Sequence, residues 1–231
     1  YDMKDGTPFV WNNQSNPYDN RDPRMKYTIV CNEMKWPVDP VEIWEGGTNG
    51  LPLQNATTTG YYLKKYVNNT ISFEAGSTVT KKQHNWVLFR YGEILLNYAE
   101  AMINAFHDPN YKDAVYNMSA REAVNQIRGS TNISLPGFPS DITEKDFVKR
   151  LKNERRVELA FEGHRFWDVR RWKELGQTAN IYAVKITKNN EVISYEKFLL
   201  ETRAVTDNMY FYPIPNTERF KNPNLGQNPG W

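Results

Sequence analysis

Apolar positions along the 231-residue chain fall into two regimes. Tyr91, Ile94, Leu95, Tyr98, Ala99, Met102, Ile103 and Phe106 recur at steps of three and four, the period that keeps one helix face apolar. A second helix is predicted from Ser119, whose hydroxyl can cap it while Glu122 reaches back; its apolar line is Ala120, Ala123, Val124 and Ile127, and Gly129 stops it. About a dozen residues around Asp108-Pro109-Asn110 join the two into a helical hairpin of the tetratricopeptide kind. A third helix is expected from Thr143, with Asp146 completing a weaker capping box, through Phe147, Leu151 and Leu159 toward Gly163. A fourth should run from Arg165 to about Leu175 and end at Gly176, with Lys173 near its C-terminal dipole.

Outside that block the helical period is lost. Residues 1 to about 85 carry Asn12-Asn13, Gly46-Gly47-Thr48-Asn49-Gly50 and Thr57-Thr58-Thr59-Gly60, which read as turns and loops, with Trp11, Trp36, Trp44 and Tyr61-Tyr62 between them. Long irregular stretches are uncommon unless functional, so these loops are the place to expect a binding surface. Beyond the helices, Tyr182 to Thr187 and Val192 to Tyr195 flank Asn189-Asn190 as a small β-hairpin. Tyr212-Pro213-Ile214-Pro215 and the run from Asn222 to Trp231 are too proline-rich for helix or central strand, and this tail is expected to lie extended over the body. The chain thus divides into a loop-rich region (1–85), a helical core (86–176) and a hairpin with its tail (177–231).

Composition narrows the function classes. Thirty-two aromatic and 25 Asn residues mark a globular chain with a large amide load. Lys and Arg number 29 against 27 Asp and Glu, and a net charge of +2 gives no reason to expect nucleic acid or an anionic membrane surface as partner. Cys31 is the sole cysteine, which excludes an intrachain disulfide and a multi-cysteine zinc site. No apolar run reaches the length of a membrane span. The chain opens on Tyr1, mid-pattern and without a cap or targeting feature, as a piece of a longer protein would.

The densest chemistry is the segment from Lys152 to Arg171. Glu154, Glu158 and Glu162, four apart, are expected on one helix face, beside Arg155, Arg156, Arg165, Asp168 and Arg170. Two of these carboxylates could serve a glycosidase as acid and nucleophile. Interleaved charges of both signs, with no nucleophile signature, favour a structural lattice of ion pairs built from Glu154, Arg155, Glu158, Glu162, Arg165 and Asp168. Glu162, His164 and Asp168 could be drawn as a metal site, but His84 and His107 are remote and no metal-binding helix spacing is present. No phosphate loop and no convincing Cys31–His pairing appear, so neither cofactor nor metal is expected. Sugars stack their C–H faces on flat aromatics and pair their hydroxyls with amides and carboxylates. Trp11 with Asn12, Asn13 and Gln14 fits that recipe, as do Trp36 and Trp44 near Asp39, Glu42 and Glu45; each tryptophan taken singly is more readily a core residue than a contact, and the group carries more weight than any one.

Six stretches in order, Asp22-Pro23-Arg24 with Thr28-Ile29, Gly60 to Tyr66, Arg90 to Ala101, Ala123 to Arg128, Glu154 to Trp172, and Tyr212 to Pro215 with Gln227 to Gly230, resemble the SusD/RagB family of outer-membrane nutrient-binding lipoproteins. The resemblance spans most of residues 22 to 231. It implies an all-α protein with tetratricopeptide-like helix pairs, long irregular loops on a ligand-binding side and a small β-hairpin. It also implies a non-catalytic lid that captures glycans, or in RagB-type members peptides, and passes them to a TonB-dependent SusC-like transporter. By the resemblance, the family's N-terminal half and its lipid-anchor cysteine are expected to lie outside this chain, since Cys31 is internal and has no apolar signal before it. Membrane attachment, on the external face of the outer membrane, is thus an implication of the resemblance. Ligand residues vary within the family, so Trp11, Trp36, Trp44 and Tyr62 are proposed for the site from loop context and aromatic chemistry alone. The competing expectations are a peptide binder and a hydrolase using Glu154, Glu158 or Glu162.

Overall fold

The computed structural model describes residues 1–13, 15–71 and 80–231. Its elements run α1 (Met25–Thr28), β1 (Ile29–Val30), β2 (Tyr62–Leu63), α2 (Tyr91–Phe106), α3 (Ala120–Arg128), α4 (Glu144–Glu158), α5 (His164–Arg171), β3 (Asn180–Asn189), β4 (Val192–Thr202) and α6 (Asn216–Lys221). Among the described residues the regular structure is mostly helical, with two small antiparallel sheets, β1–β2 and β3–β4.

The apolar period of α2 buries Leu95, Leu96, Ala99, Met102 and Ile103 against Ala123, Val124 and Ile127 of α3 and Phe147 and Leu151 of α4. At the start of α3, Ser119 accepts from the Glu122 amide at 3.1 Å and Glu122 accepts from the Ser119 amide at 2.8 Å, so two otherwise orphaned donors are satisfied. Thr143 caps α4 through the Asp146 amide at 3.2 Å.

A second core lies between the N-terminal loops and the hairpin. Val30, Val41 and Ile43 meet Val184, Ile186 and Tyr195, and Trp11, Trp36, Trp44, Tyr61 and Tyr62 pack around them. Two loop contacts fasten β3 here: the Val184 amide donates to Thr59 O at 3.0 Å and Ile186 O accepts from the Glu45 amide at 2.9 Å. Gly60 makes the first possible, because its φ is +82° and a Cβ there would stand 2.6 Å from Val184 O.

Several boundaries differ from the sequence reading. α4 ends at Glu158; Phe161 and Gly163 then take positive φ, so Glu162 sits in the turn before α5 rather than on the face of Glu154 and Glu158. α5 closes at Arg171, where Lys173 adopts φ +54° and reverses the chain, and Leu175–Thr178 form a separate 3-10 turn. The hairpin strands are 10 and 11 residues long around Asn190-Glu191; their outer halves are exposed and so carry no apolar alternation to read. The tail is not simply extended. α6 follows Pro215, and the segment folds on itself: Gln227 bridges the Ile214 amide and carbonyl at 2.7 and 3.0 Å, and Trp231 Nε1 donates to Asn208 O at 3.0 Å.

Candidate functional site

The four aromatic candidates share one neighbourhood, half-buried on the second core. Their polar atoms and faces are engaged to different degrees. Tyr62 is a strut: its hydroxyl donates to Asn49 O at 2.6 Å and accepts from the Thr57 amide at 3.1 Å, which ties two loops together. Trp36 carries the Lys64 ammonium 4.5 Å from its ring centre, and Trp44 carries Lys188 at 4.6 Å. Of the charges expected to flank them, Glu42 accepts from Thr48 Oγ1 at 3.1 Å, Glu45 pairs loosely with Lys185 at 3.5 Å, and Asp39 contributes its carbonyl to the Trp36 amide at 2.9 Å.

Trp11 differs, because it lines a cleft of about 320 Å³ together with Phe9, Tyr61, Tyr182 and Lys197. Its indole N–H donates to Asn13, which holds the ring plane, and Phe9 meets it edge-on at 6.2 Å. Arg21 stacks on Phe9 at 3.5 Å while donating to Pro17 O and Tyr1 O at 2.5 and 2.6 Å. Lys197 lies 4.3 Å from the ring centre of Tyr182, half of whose surface is exposed. Gln14, named with this group from the sequence, lies outside the described residues.

Arg21 and Met25 of this cleft also wall a larger mixed groove of about 550 Å³, where Asn16, Asp19, Asn20 and Glu33 stand beside Tyr18, Pro23 and Met34. A further groove of about 370 Å³ shares Asn16 and Glu33 and adds Asn13, Ser15, Glu191 and Ser194. Amides, hydroxyls and carboxylates therefore continue from an aromatic cleft along the loop side. Phe9, Tyr182, Lys197, Asn16, Asp19 and Glu33 were not singled out from the sequence. Phe9 stands two residues before Trp11, a signal that could have been used; Tyr182 and Lys197 reach the cleft through hairpin pairing that no local pattern announces.

The charged segment forms a chain of alternating signs. Arg24 donates to Asp22 at 2.7 Å, to Glu154 at 2.5 Å and to Glu158 at 2.9 Å. Glu154 also holds Arg128 at 2.7 Å; Glu158 also holds Arg90 at 2.5 Å; Arg90 continues to Glu162 at 2.9 Å, and Glu162 to Lys65 at 2.7 Å. Arg155 bonds Asp168 at 2.8 Å and Asn97 at 2.7 Å, and Arg171 joins Asp168 to Glu100. Each of Glu154, Glu158, Glu162 and Asp168 thus carries two cations. Burial opposes ionisation of Glu162, but Arg90 and Lys65 outweigh it and hold the carboxyl below its usual range. Arg24 is buried and Arg90 half-buried, yet their carboxylates push both guanidinium pKa values up.

Glu158 and Glu162 border a cleft of about 320 Å³ with Tyr27, Tyr66 and Val87. Their oxygens there are occupied by Arg24, Arg90 and Lys65, whereas a general acid needs its proton retained and its pKa raised. Arg165 departs from the expected lattice: its guanidinium donates to Gln177 Oε1 at 3.2 Å, because α5 turns it away from Glu154 and toward the 3-10 turn. His164 stands 3.5 Å from Glu93, not with Glu162 or Asp168, whose carboxylates are taken by arginine and lysine.

The comparisons with known proteins agree on one relationship. The model of the SusD family matches residues 1–231. The chain is 30% identical over 162 residues to SusD-like protein P2 of Formosa agariphila, covering 68% of this chain and 28% of that protein. It is 37% identical over 150 residues to SusD-like protein P38 of the same organism, covering 62% and 24%. A SusD-like protein of Bacteroides fragilis superposes over the whole chain, and 45% of its own, with TM-score 0.78 and 26% identity. The chain spans about a quarter of the length of the curated relatives it matches.

Proposed function

The chain belongs to the SusD family, and from that premise we propose that it carries the ligand-binding loop side of a cell-surface protein that captures oligo- or polysaccharide. In this reading the protein sits on the external face of the outer membrane through a lipid anchor outside this chain, and hands its ligand to a TonB-dependent SusC-like transporter. It performs no bond chemistry; the acids of the 154–168 segment are held by arginines and lysines as a structural tie. No helix among the described residues is long and apolar enough to cross a membrane.

The observation that carries the reading is the cleft at Trp11. Aromatic walls from Trp11, Phe9, Tyr61 and Tyr182 adjoin a groove of amides and carboxylates, so C–H faces and hydroxyls of one sugar chain find partners side by side. Trp36, Trp44 and Tyr62 support the loops beneath, and of the four aromatics Trp11 is the proposed contact. A glycan array on the full-length protein tests this, followed by calorimetry on any hit. Near-constant affinity for a neutral saccharide from low to moderate salt supports it, since stacking and neutral hydrogen bonds are weakly screened. A blank array with enrichment of peptides from a digest would replace it with peptide uptake.

A further inference from the structure

Helices α4 and α5 border a cleft with a large surplus of positive charge among the described residues. Lys145, Lys149, Lys152 and Arg156 follow at steps of four, three and four residues and share one face of α4. Arg165 of α5 joins them in lining a cleft of about 380 Å³, in which Glu174 is the sole carboxylate among the described residues. Five cations against one acid leave a local surplus of four charges, twice the +2 of the entire chain.

The partners of the two arginines set them apart from their neighbours. Arg155 and Arg171, on the same helices, rest on Asp168. Arg156 and Arg165 instead donate to the neutral amide oxygens of Asn153, at 2.9 Å, and Gln177, at 3.2 Å. Such oxygens satisfy hydrogen bonds and leave the charge standing. Burial, and after it repulsion from Arg156, lower the pKa of Arg165, against the weaker pull of Asp168 and Glu174. Glu174 is spent on Lys152, at 2.5 Å.

We propose that this cleft is a subsite for the anionic substituent of a saccharide, a uronate carboxylate or a sulfate ester. Two guanidinium forks match a planar or tetrahedral oxyanion, the lysines supply point charges, and the cleft has the volume of a small-ligand site. Asn153 donates onward to Asp2 at 3.3 Å and Gln177 to Glu174 at 3.0 Å, which leaves each amide one further N–H for a ring hydroxyl beside the anion. The subsite rests on the saccharide-capture reading and narrows its substrate class to acidic glycans.

The test is calorimetric titration of the full-length protein with an oligogalacturonate, a sulfated galactan oligomer and a neutral galactan oligomer, at low and moderate salt. Arg156→Gln/Arg165→Gln and Lys145→Gln/Lys149→Gln are titrated alongside, the second pair lying on the exposed face of α4, where folding is not at stake. An acidic oligomer should bind more tightly than the neutral one, and lose about tenfold in affinity in either double variant and with added salt. Whether the uronate or the sulfate responds identifies the substituent. Equal affinity for acidic and neutral oligomers, or unchanged affinity in both variants, overturns the subsite and leaves saccharide capture intact. Absence of binding by all three oligomers overturns the subsite, and the glycan array then decides saccharide capture separately.

Discussion

Arg24 Nη1 and Glu154 Oε1 meet at 2.5 Å across 130 residues of sequence, both side chains buried. This contact pins the loop-rich N-terminal region to α4, and through Arg128 to α3. Glu154→Gln would take from buried Arg128 its one carboxylate partner among the described residues, and from Arg24 one of three. Breaking a buried pair from one side costs about 3–5 kcal/mol, so chemical denaturation should show a loss of that size; a loss under about 1 kcal/mol would mean that the network is solvated and dispensable.

The same network sets a pH dependence. Glu162 titrates below its ordinary value in the folded chain, so its stabilising effect is fully present above the unfolded pKa of about 4.5 and is lost as pH falls through the lower folded value. Melting temperature should therefore decline as pH falls below about 5, and Glu162→Gln should be less stable at pH 7 with a shallower acid decline. Identical slopes for both proteins would remove Glu162 from the account.

Much of the helical half was legible in the sequence, for reasons that lie within a few residues. The apolar period of α2 and the Ser119–Glu122 box are local physics, and the helices start where that physics says. The ends of α4 and α5 were read too long, because Phe161 and Lys173, exposed residues with no turn signature in the sequence, take positive φ and reverse the chain. Likewise the acids of the lattice were visible, but their partners Arg24, Lys65, Arg90 and Arg128 come from four distant stretches of chain. Arg165 was grouped with them by proximity alone and proves to face another cleft.

The cap on α3 offers a local check. Ser119→Ala removes the acceptor for the Glu122 amide and weakens the reciprocal half of the box, at a cost of about 1 kcal/mol. Equilibrium unfolding by urea would register it as a lower midpoint with unchanged slope.

Gly60 tests how the loops attach to the hairpin. A methyl at φ +82° facing Val184 O at 2.6 Å forces the 57–62 loop away from β3. Gly60→Ala is expected to cost about 1–3 kcal/mol and to speed amide exchange at Val184, whose N–H bonds Thr59 O. Unchanged exchange there would show that the loop is not held by this contact.

The central claim is capture of saccharide at the aromatic cleft on the loop side. Its most direct measurement is calorimetry of the full-length protein against an array-selected saccharide, with Trp11→Ala and Tyr182→Ala beside Trp44→Ala. The account predicts affinity reduced about tenfold by each of the first two, the loss of one well-packed aromatic contact, and a small change for Trp44→Ala, whose ring is covered by Lys188. Full affinity in both cleft variants, or no saccharide bound by the parent protein, would contradict it.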